Sequence, residues 1–196
     1  MLPVPAPLAA KVAALRGGAY RPAEPVAIST TGTADRRITL SGYRNERPVI
    51  DASLIRGNQW FVTQSAAYWM VQNLTVHSAA TFPWVCFSCT HTVFQRLEIY
   101  ENGATGLVLR GEGTIGNSVL DSDFHDNHDD PKNGENADGV AVKDGSGAGN
   151  VIRGVRAFRD SDDGVDLSGF ASPVQIRRSW AYGNGHGPAP GRLVAA

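Results

Sequence analysis

Hydrophobic positions in this chain recur in short bursts rather than in long amphipathic stretches. Five segments share one pattern: Met70–Val76, Val93–Ile99, Ser118–Phe124, Val151–Ala157 and Gln175–Ala181. Each opens on an inward residue, passes two polar positions and ends in apolar–polar–apolar alternation, with Ser118–Phe124 the weakest copy. Alternation of period two predicts strands, and no stretch of ten or more residues after residue 16 carries the 3.6 period of a helix. Asn102, Asn127, Asp160 and Asn184 close four of the segments, at separations of 25, 33 and 24 residues. The long separation contains an insertion, His128–Glu135. A further strand follows the turn in three copies, Gly106–Leu109, Gly139–Val142 and Gly164–Leu167.

Short strands and Gly/Asn/Asp-rich turns repeating every 23–25 residues or so describe an all-β solenoid, a parallel β-helix. Each coil buries only a few side chains and needs neighbours to complete its core. Asn side chains stacked at equivalent turns are expected to hydrogen-bond along the axis. A propeller blade needs about 40–45 residues, and a sandwich does not hold one phase through five segments. Upstream, Ile38–Leu40 and Val49–Ile50 are short apolar runs, and Gly17-Gly18 makes a turn. Residues 8–15 suit either a short helix capping the first coil or a first strand at Val12–Leu15. Gly187–Ala196 offers no evident cap for the other end, which leaves strand edges open there.

The length of 196 residues fits one domain, 1–196, or a piece of a longer one. A net charge of −1 gives no reason to expect nucleic acid, and without a polybasic or long apolar run no membrane partner is expected. A monomer is expected. MLPVPAPLAAKV lacks a basic start and is interrupted by Pro3, Pro5 and Pro7, so it does not read as an intact signal peptide. Cys86 and Cys89 stand alone as C-x-x-C. One pair excludes a four-thiolate zinc site within the chain, and the strand–turn context of Trp84–Val93 does not suit a redox motif. Two buried or locally paired thiols remain.

The candidate chemistry lies between Asn136 and Leu167. Asp138-Gly139 and Asp163-Gly164 each introduce a strand and are 25 residues apart, so one winding of a coil stacks the two Asp side chains. Asp162 and Asp166 fall in the same patch. Four carboxylates read as lacking an internal Lys or Arg repel one another, and a hard cation with oxygen ligands relieves that repulsion, which points to calcium.

These residues resemble the pectate lyases of polysaccharide lyase family 9. The likeness rests on Asn136-Ala137-Asp138-Gly139, on Gly149-Asn150-Val151 and on Ser161-Asp162-Asp163-Gly164-Val165-Asp166, and extends from about residue 16 to 187. The resemblance implies a right-handed parallel β-helix, secretion, and a calcium ion held by Asp138, Asp162, Asp163 and Asp166. It also implies cleavage of polygalacturonate, an acidic polysaccharide, by β-elimination. A proton leaves C5 beside the uronate carboxylate, the C4 oxygen departs, the cation stabilises the enolate-like charge, and a base takes the proton. In the family that base is a lysine on the coil after the D-D-G-x-D coil. Here the chain runs from Tyr182-Gly183-Asn184-Gly185 to Ala196 without another Lys, which reads as C-terminal truncation. Two weak substitutes are Lys143, expected on the far side of the metal, and Arg192, whose high pKa makes it a poor base. Solvated surface charge is the default for both.

Three further patterns carry lesser expectations. His125-x-x-His128 with Asp126, Asp129 and Asp130 invites a zinc reading, but its polar turn suits a solvated loop or a cleft wall better. Tyr100, Phe158 and Tyr182 share one phase and predict an aromatic ladder or a sugar-stacking platform. Arg153, Arg156, Arg177 and Arg178 read as surface charge, with pairing to uronates as the sharper role. Asn73-Leu74-Thr75 matches a glycosylation sequon, but Leu74 looks like core. Function therefore lies between a calcium-dependent lyase and a non-catalytic β-helix binding calcium and acidic glycan. A purely structural β-helix gains nothing from clustered carboxylates.

Overall fold

The computed structural model describes residues 11–185. The strands are β1 (Val12–Leu15), β2 (Gly18–Tyr20), β3 (Val26–Ile28), β4 (Ile38–Gly42), β5 (Pro48–Asp51), β6 (Val62–Gln64) and β7 (Trp69–Gln72). Next come β8 (Thr75–His77), β9 (Trp84–Phe87), β10 (Val93–Gln95), β11 (Glu98–Tyr100), β12 (Leu107–Glu112), β13 (Ser118–Leu120) and β14 (Asp123–His125). The last are β15 (Val140–Ser146), β16 (Asn150–Arg153), β17 (Arg156–Phe158), β18 (Val165–Asp166), β19 (Val174–Arg177) and β20 (Trp180–Tyr182). They stack, all in parallel, into three sheets ordered β1-β4-β7-β10-β13-β16-β19, β2-β5-β8-β11-β14-β17-β20 and β18-β15-β12-β9-β6-β3. The molecule is the expected parallel β-helix. Of the two readings for residues 8–15, the described part takes the strand, which pairs with β4, while residues 8–10 and Gly187–Ala196 lie outside the described residues.

Each seven-residue segment is two strands, not one. Asn73, Arg96, Asp121 and Arg178 at its middle adopt positive φ of 47–55°, and Gly154 adopts 68°. That left-handed residue turns the chain from the first sheet to the second. Its amide donates to the next coil, as from Asn73 to the Gln95 carbonyl at 3.2 Å, so the bend is kept in register. Behind each bend an inward side chain fills the axis: Leu74, Leu97 and Val155 are at most 2% exposed. Val71, Phe94, Val119 and Ile152 stack in the first sheet, and Ile99, Phe124 and Ala157 in the second, all essentially buried.

Two amide ladders run along the axis. Asn102 Nδ2 donates to Asn127 Oδ1 at 2.9 Å, Asn127 Nδ2 donates to Asp160 Oδ1 at 2.8 Å, and the Asp160 amide donates to Asn184 Oδ1 at 3.0 Å. This is the ladder the closing Asn/Asp residues predict. A second, unanticipated ladder joins Asn117 Nδ2 to Asn150 Oδ1 at 3.1 Å. The aromatic phase is a continuous stack of His77, Tyr100, His125, Phe158 and Tyr182, with centroids 4.7–5.1 Å apart and planes within 10°. The two histidines complete a ladder that the aromatic spacing alone leaves gapped. The faces of the inner rings, Tyr100, His125 and Phe158, are occupied by their neighbours, as the ladder reading expects, and Tyr182 at the end stacks on Phe158 alone among the described residues. Cys86 and Cys89 form a buried disulfide, and Leu74 is core.

Candidate metal centre

The third sheet positions the centre. In β15 and β18, Val140 pairs with Val165 and Ala141 with Asp166, so the residues just before each strand also face one another. The Asp163 amide donates to Asp138 Oδ1 at 3.3 Å, and the Gly139 amide donates to the Asp163 carbonyl at 2.9 Å. Asp138 therefore lies one rung from Asp163. Ligand oxygens of Asp138, Asp162 and Asp163 all fall within 4.8 Å of one another, and these three are the one such convergent acidic group among the described residues.

The glycines of the two Asp-Gly motifs have a packing cause. A Cβ on Gly139 would sit 2.7 Å from Asp160 Oδ2, and one on Gly164 would sit 2.5 Å from Asn184 Nδ2. The ladder side chain of each following turn passes over the residue after the Asp, and only glycine leaves room.

Lys143 corrects the sequence reading. It is not a solvated surface charge, and the cluster does not lack an internal cation. Lys143 Nζ donates to Asp166 Oδ2 at 2.7 Å and to Asp138 Oδ2 at 3.2 Å, with its side chain only 16% exposed. The reason is strand periodicity: Lys143 follows Ala141 by two, faces the same side as Asp166, and its flexible stem lets the ammonium fold back between the coils. Arg192 lies outside the described residues.

Electrostatics divide the four acids. Burial pushes Asp138 above the ordinary carboxylate range, although Lys143 and Thr105 oppose it. Burial, together with Asp138, Asp163 and Asp166, pushes Asp162 up to about 6. Burial also works against the Asp166 carboxylate, but the Lys143 ammonium and the Ser168 donors outweigh it and hold the group low. Burial pulls on Lys143 too, yet its bonds to Asp166 and Asp138 leave it raised, hence protonated. A cation sharing the oxygens of Asp138, Asp162 and Asp163 matches their oxygen-only donor set and offsets the repulsion recorded in Asp162. Asp166 is committed to Lys143 and Ser168 instead.

Residue spacing did not single out Thr105, whose hydroxyl donates to Asp138 Oδ2 at 2.8 Å, and it gave Asp160 only as a ladder residue. Thr105-Gly106 occupies the coil position of the two Asp-Gly pairs, and aligning it with them would have found it. Asp160 Oδ2 has no partner among the described residues, and burial raises this carboxyl to about 7. The insertion forms a short 3-10 turn, Asp130–Lys132, and borders a cavity of about 570 Å³ with His128 and Asn136. That makes it a cleft wall, with His125 taken up by the aromatic stack and a bond to Asp126. Arg156 pairs with Asp123 on the surface, as expected of surface charge.

Residues 9–192 match the family model described as the Pel9A-like, right handed beta helix region. The chain is 35% identical over 180 residues to "Pectate lyase PEL9" of Emericella nidulans, covering 84% of this chain and 43% of that protein. It is 36% identical over 118 residues to "Pectate lyase L" of Dickeya chrysanthemi, covering 60% and 27%. The crystal structure of pectate lyase Pel9A superposes with a TM-score of 0.82 at 28% identity, covering 94% of this chain and 48% of that one. A structure titled "Rhamnogalacturonan lyase", at 24% identity and a TM-score of 0.80, shares the fold. The chain thus spans less than half the length of these curated relatives. The coil-by-coil register, the two phased acidic motifs and the match over residues 9–192 place this chain in the Pel9A-like right-handed β-helix family.

Proposed function

We propose that this chain, as a single β-helix domain, carries the calcium half of a polygalacturonate lyase centre. The observation that carries the reading is the convergence of Asp138, Asp162 and Asp163 from adjacent coils in a helix of this family. These three carboxylates would hold the ion, with Asp166 completing the set once Lys143 yields it. Calcium bound there supplies Lewis-acid stabilisation of the charge that develops on the uronate as its C5 proton leaves. The residues present do the positioning. Thr105 and the Asp163 amide fix the Asp138 carboxylate, and Ser168 fixes Asp166. Lys143, protonated and bound to two acids, is a poor proton acceptor and a good partner for a uronate carboxylate.

That geometry also favours a second reading for the residues at hand: a β-helix that binds calcium and acidic glycan without chemistry. The Lys143 ammonium of the centre is tied up in ion pairs. The two readings separate on one assay. With polygalacturonate and calcium, a lyase generates unsaturated products that absorb in the ultraviolet; a binder gives none, yet its melting temperature rises with calcium. Asp163→Ala is expected to abolish the calcium-induced rise. An unchanged rise in that variant removes the metal assignment. Secretion and a monomeric state belong to the same proposal. The buried Cys86–Cys89 disulfide suits an oxidising compartment. Among the described residues no helix is long and apolar enough to cross a membrane.

A further inference from the structure

The cavity of about 570 Å³ has the wrong charge for a uronate. It is bordered by the carboxylates of Glu101, Asp129 and Asp130 and by one ammonium, Lys132. None of the four belongs to an ion pair among the described residues. The formal balance is two negative charges, and a concave wall focuses that field on whatever enters. The three acids do not converge as a metal-holding group of the kind formed by Asp138, Asp162 and Asp163. One wall is apolar: Phe82, braced by Trp60 in a T-shaped contact with centroids 5.8 Å apart. An apolar wall with polar groups around it suits the C–H face and hydroxyls of a sugar ring, and the volume is that of a ligand pocket.

Hydrogen bonds link the walls of the cavity to the acidic centre. The Asp129 amide donates to Ser161 Oγ at 3.4 Å, and Ser161 Oγ donates to the Gly134 carbonyl at 3.2 Å. Ser161 is the residue before Asp162. Asn136, on the cavity wall, accepts from Thr105 Oγ1 at 3.1 Å, and the same hydroxyl contacts Asp138. Phe82 lies in the turn leading into β9, and β12 and β15 follow it in the sheet. A saccharide leaving the centre along the axis reaches that turn in two or three strand spacings, ~10–15 Å.

Building on the reading of the centre as a polyuronate site, we propose that this cavity is a neighbouring saccharide subsite selective for an uncharged sugar unit. Such a unit is either a methyl-esterified galacturonate or a neutral sugar within an acidic backbone. The acids repel a free uronate there, while the centre next door takes one.

The test is calorimetric titration of the full chain at low ionic strength with three size-matched hexasaccharides: unesterified galacturonan, its partly methyl-esterified form, and an oligomer alternating galacturonate with a neutral sugar. Each titration is run in calcium and in EDTA. At least one oligomer with uncharged units is expected to bind about tenfold more tightly than the unesterified one, a ratio that shrinks with added salt. Which oligomer gains identifies the source of the uncharged unit. The exposed pair Glu101→Gln/Asp130→Asn is expected to bring the ratio close to one while leaving the calcium-induced rise in melting temperature intact. Equal or tighter binding of the unesterified oligomer by the native chain, an unchanged ratio in the double variant, or no binding of any oligomer overturns the subsite. Loss of the calcium response in the native chain overturns the metal reading instead, and the ratio in EDTA still reports on the cavity.

Discussion

The ammonium of Lys143 reaches two carboxylates on adjacent coils, and those three groups are nearly enclosed. Removing it leaves Asp138 and Asp166 facing each other without a cation. Lys143→Met is expected to lower the unfolding free energy in EDTA by about 3 kcal/mol, measured by urea denaturation. In calcium the variant should recover more stability than the native chain does, because the ion then meets less competition. Equal stability in EDTA would show that the pair holds nothing together. Asp160 is the other residue with a strong local prediction. It takes an Asn position in the ladder, but its second oxygen has no partner. Burial raises it from 3.8 to about 7, so the folded state favours the protonated form. Its stabilising contribution is complete below 3.8 and is lost as pH rises through about 7. Asp160→Asn should therefore raise stability by about 2 kcal/mol above that pH and change little in acid. A new amide is expected to find the carbonyl two residues back, as Asn102 does with Tyr100 at 2.9 Å.

At the scale of elements, the Asp-Gly motif is a packing device before it is a ligand motif. Gly139→Ala would drive a Cβ to 2.8 Å from the Ala157 Cβ and from the Gly164 carbonyl, both on the next coil. A cost of about 2 kcal/mol is expected, with weaker calcium stabilisation because Asp138 moves with β15. Thermal melts in EDTA and in calcium measure the two parts. Much of the element level was legible beforehand. Period-two alternation, the 25-residue spacing and the recurring Asn/Asp gave the coil, the ladder and the partnership of Asp138 with Asp163. What escaped was local three-dimensional geometry. The left-handed bends fall on Asn73, Arg96, Asp121 and Arg178, four positions with three different side chains; at the first three the amide donates to the next coil and holds the conformation whatever the residue. Lys143 looked like surface because spacing shows which face a residue takes, not how far a flexible stem folds back. The spacing gave His77 no role and weighed His125 only in a zinc reading that its polar turn already disfavoured, since composition cannot distinguish a ring used for its nitrogens from one used for its faces.

The molecule as a whole is a stack in which each coil is stabilised by its neighbours, so stability should vary along the axis. Amide exchange is expected to be slowest between β7 and β17, where the interior side chains are buried, and faster in β1, β19 and β20, whose residues are largely exposed. Calcium should add protection chiefly at β15 and β18; a uniform change along the chain would argue against a site at those coils. The pH response also belongs to the whole. Asp138, Asp160 and Asp162 are all raised by burial, Asp160 to about 7 and Asp162 to about 6. Each contributes most below the unfolded carboxylate value and loses that contribution as pH climbs through its own. In EDTA the melting temperature should therefore fall between about pH 4 and pH 8. Calcium, by favouring the ionised acids, should flatten or reverse that slope.

The sequence by itself determined the winding. A repeat with alternating polarity in one phase has few ways to bury its apolar side chains other than in stacked coils, and the 25-residue winding from Asp138 to Asp163 sets which acids become neighbours. Only the tertiary structure decided how those acids are used. Burial, the reach of Lys143 and the hydroxyl of Thr105 set the charge of each carboxylate, and these depend on distances across coils that no linear spacing encodes. The same holds for the cavity beside them: its net charge arises from turns of separate coils that meet only when the helix closes.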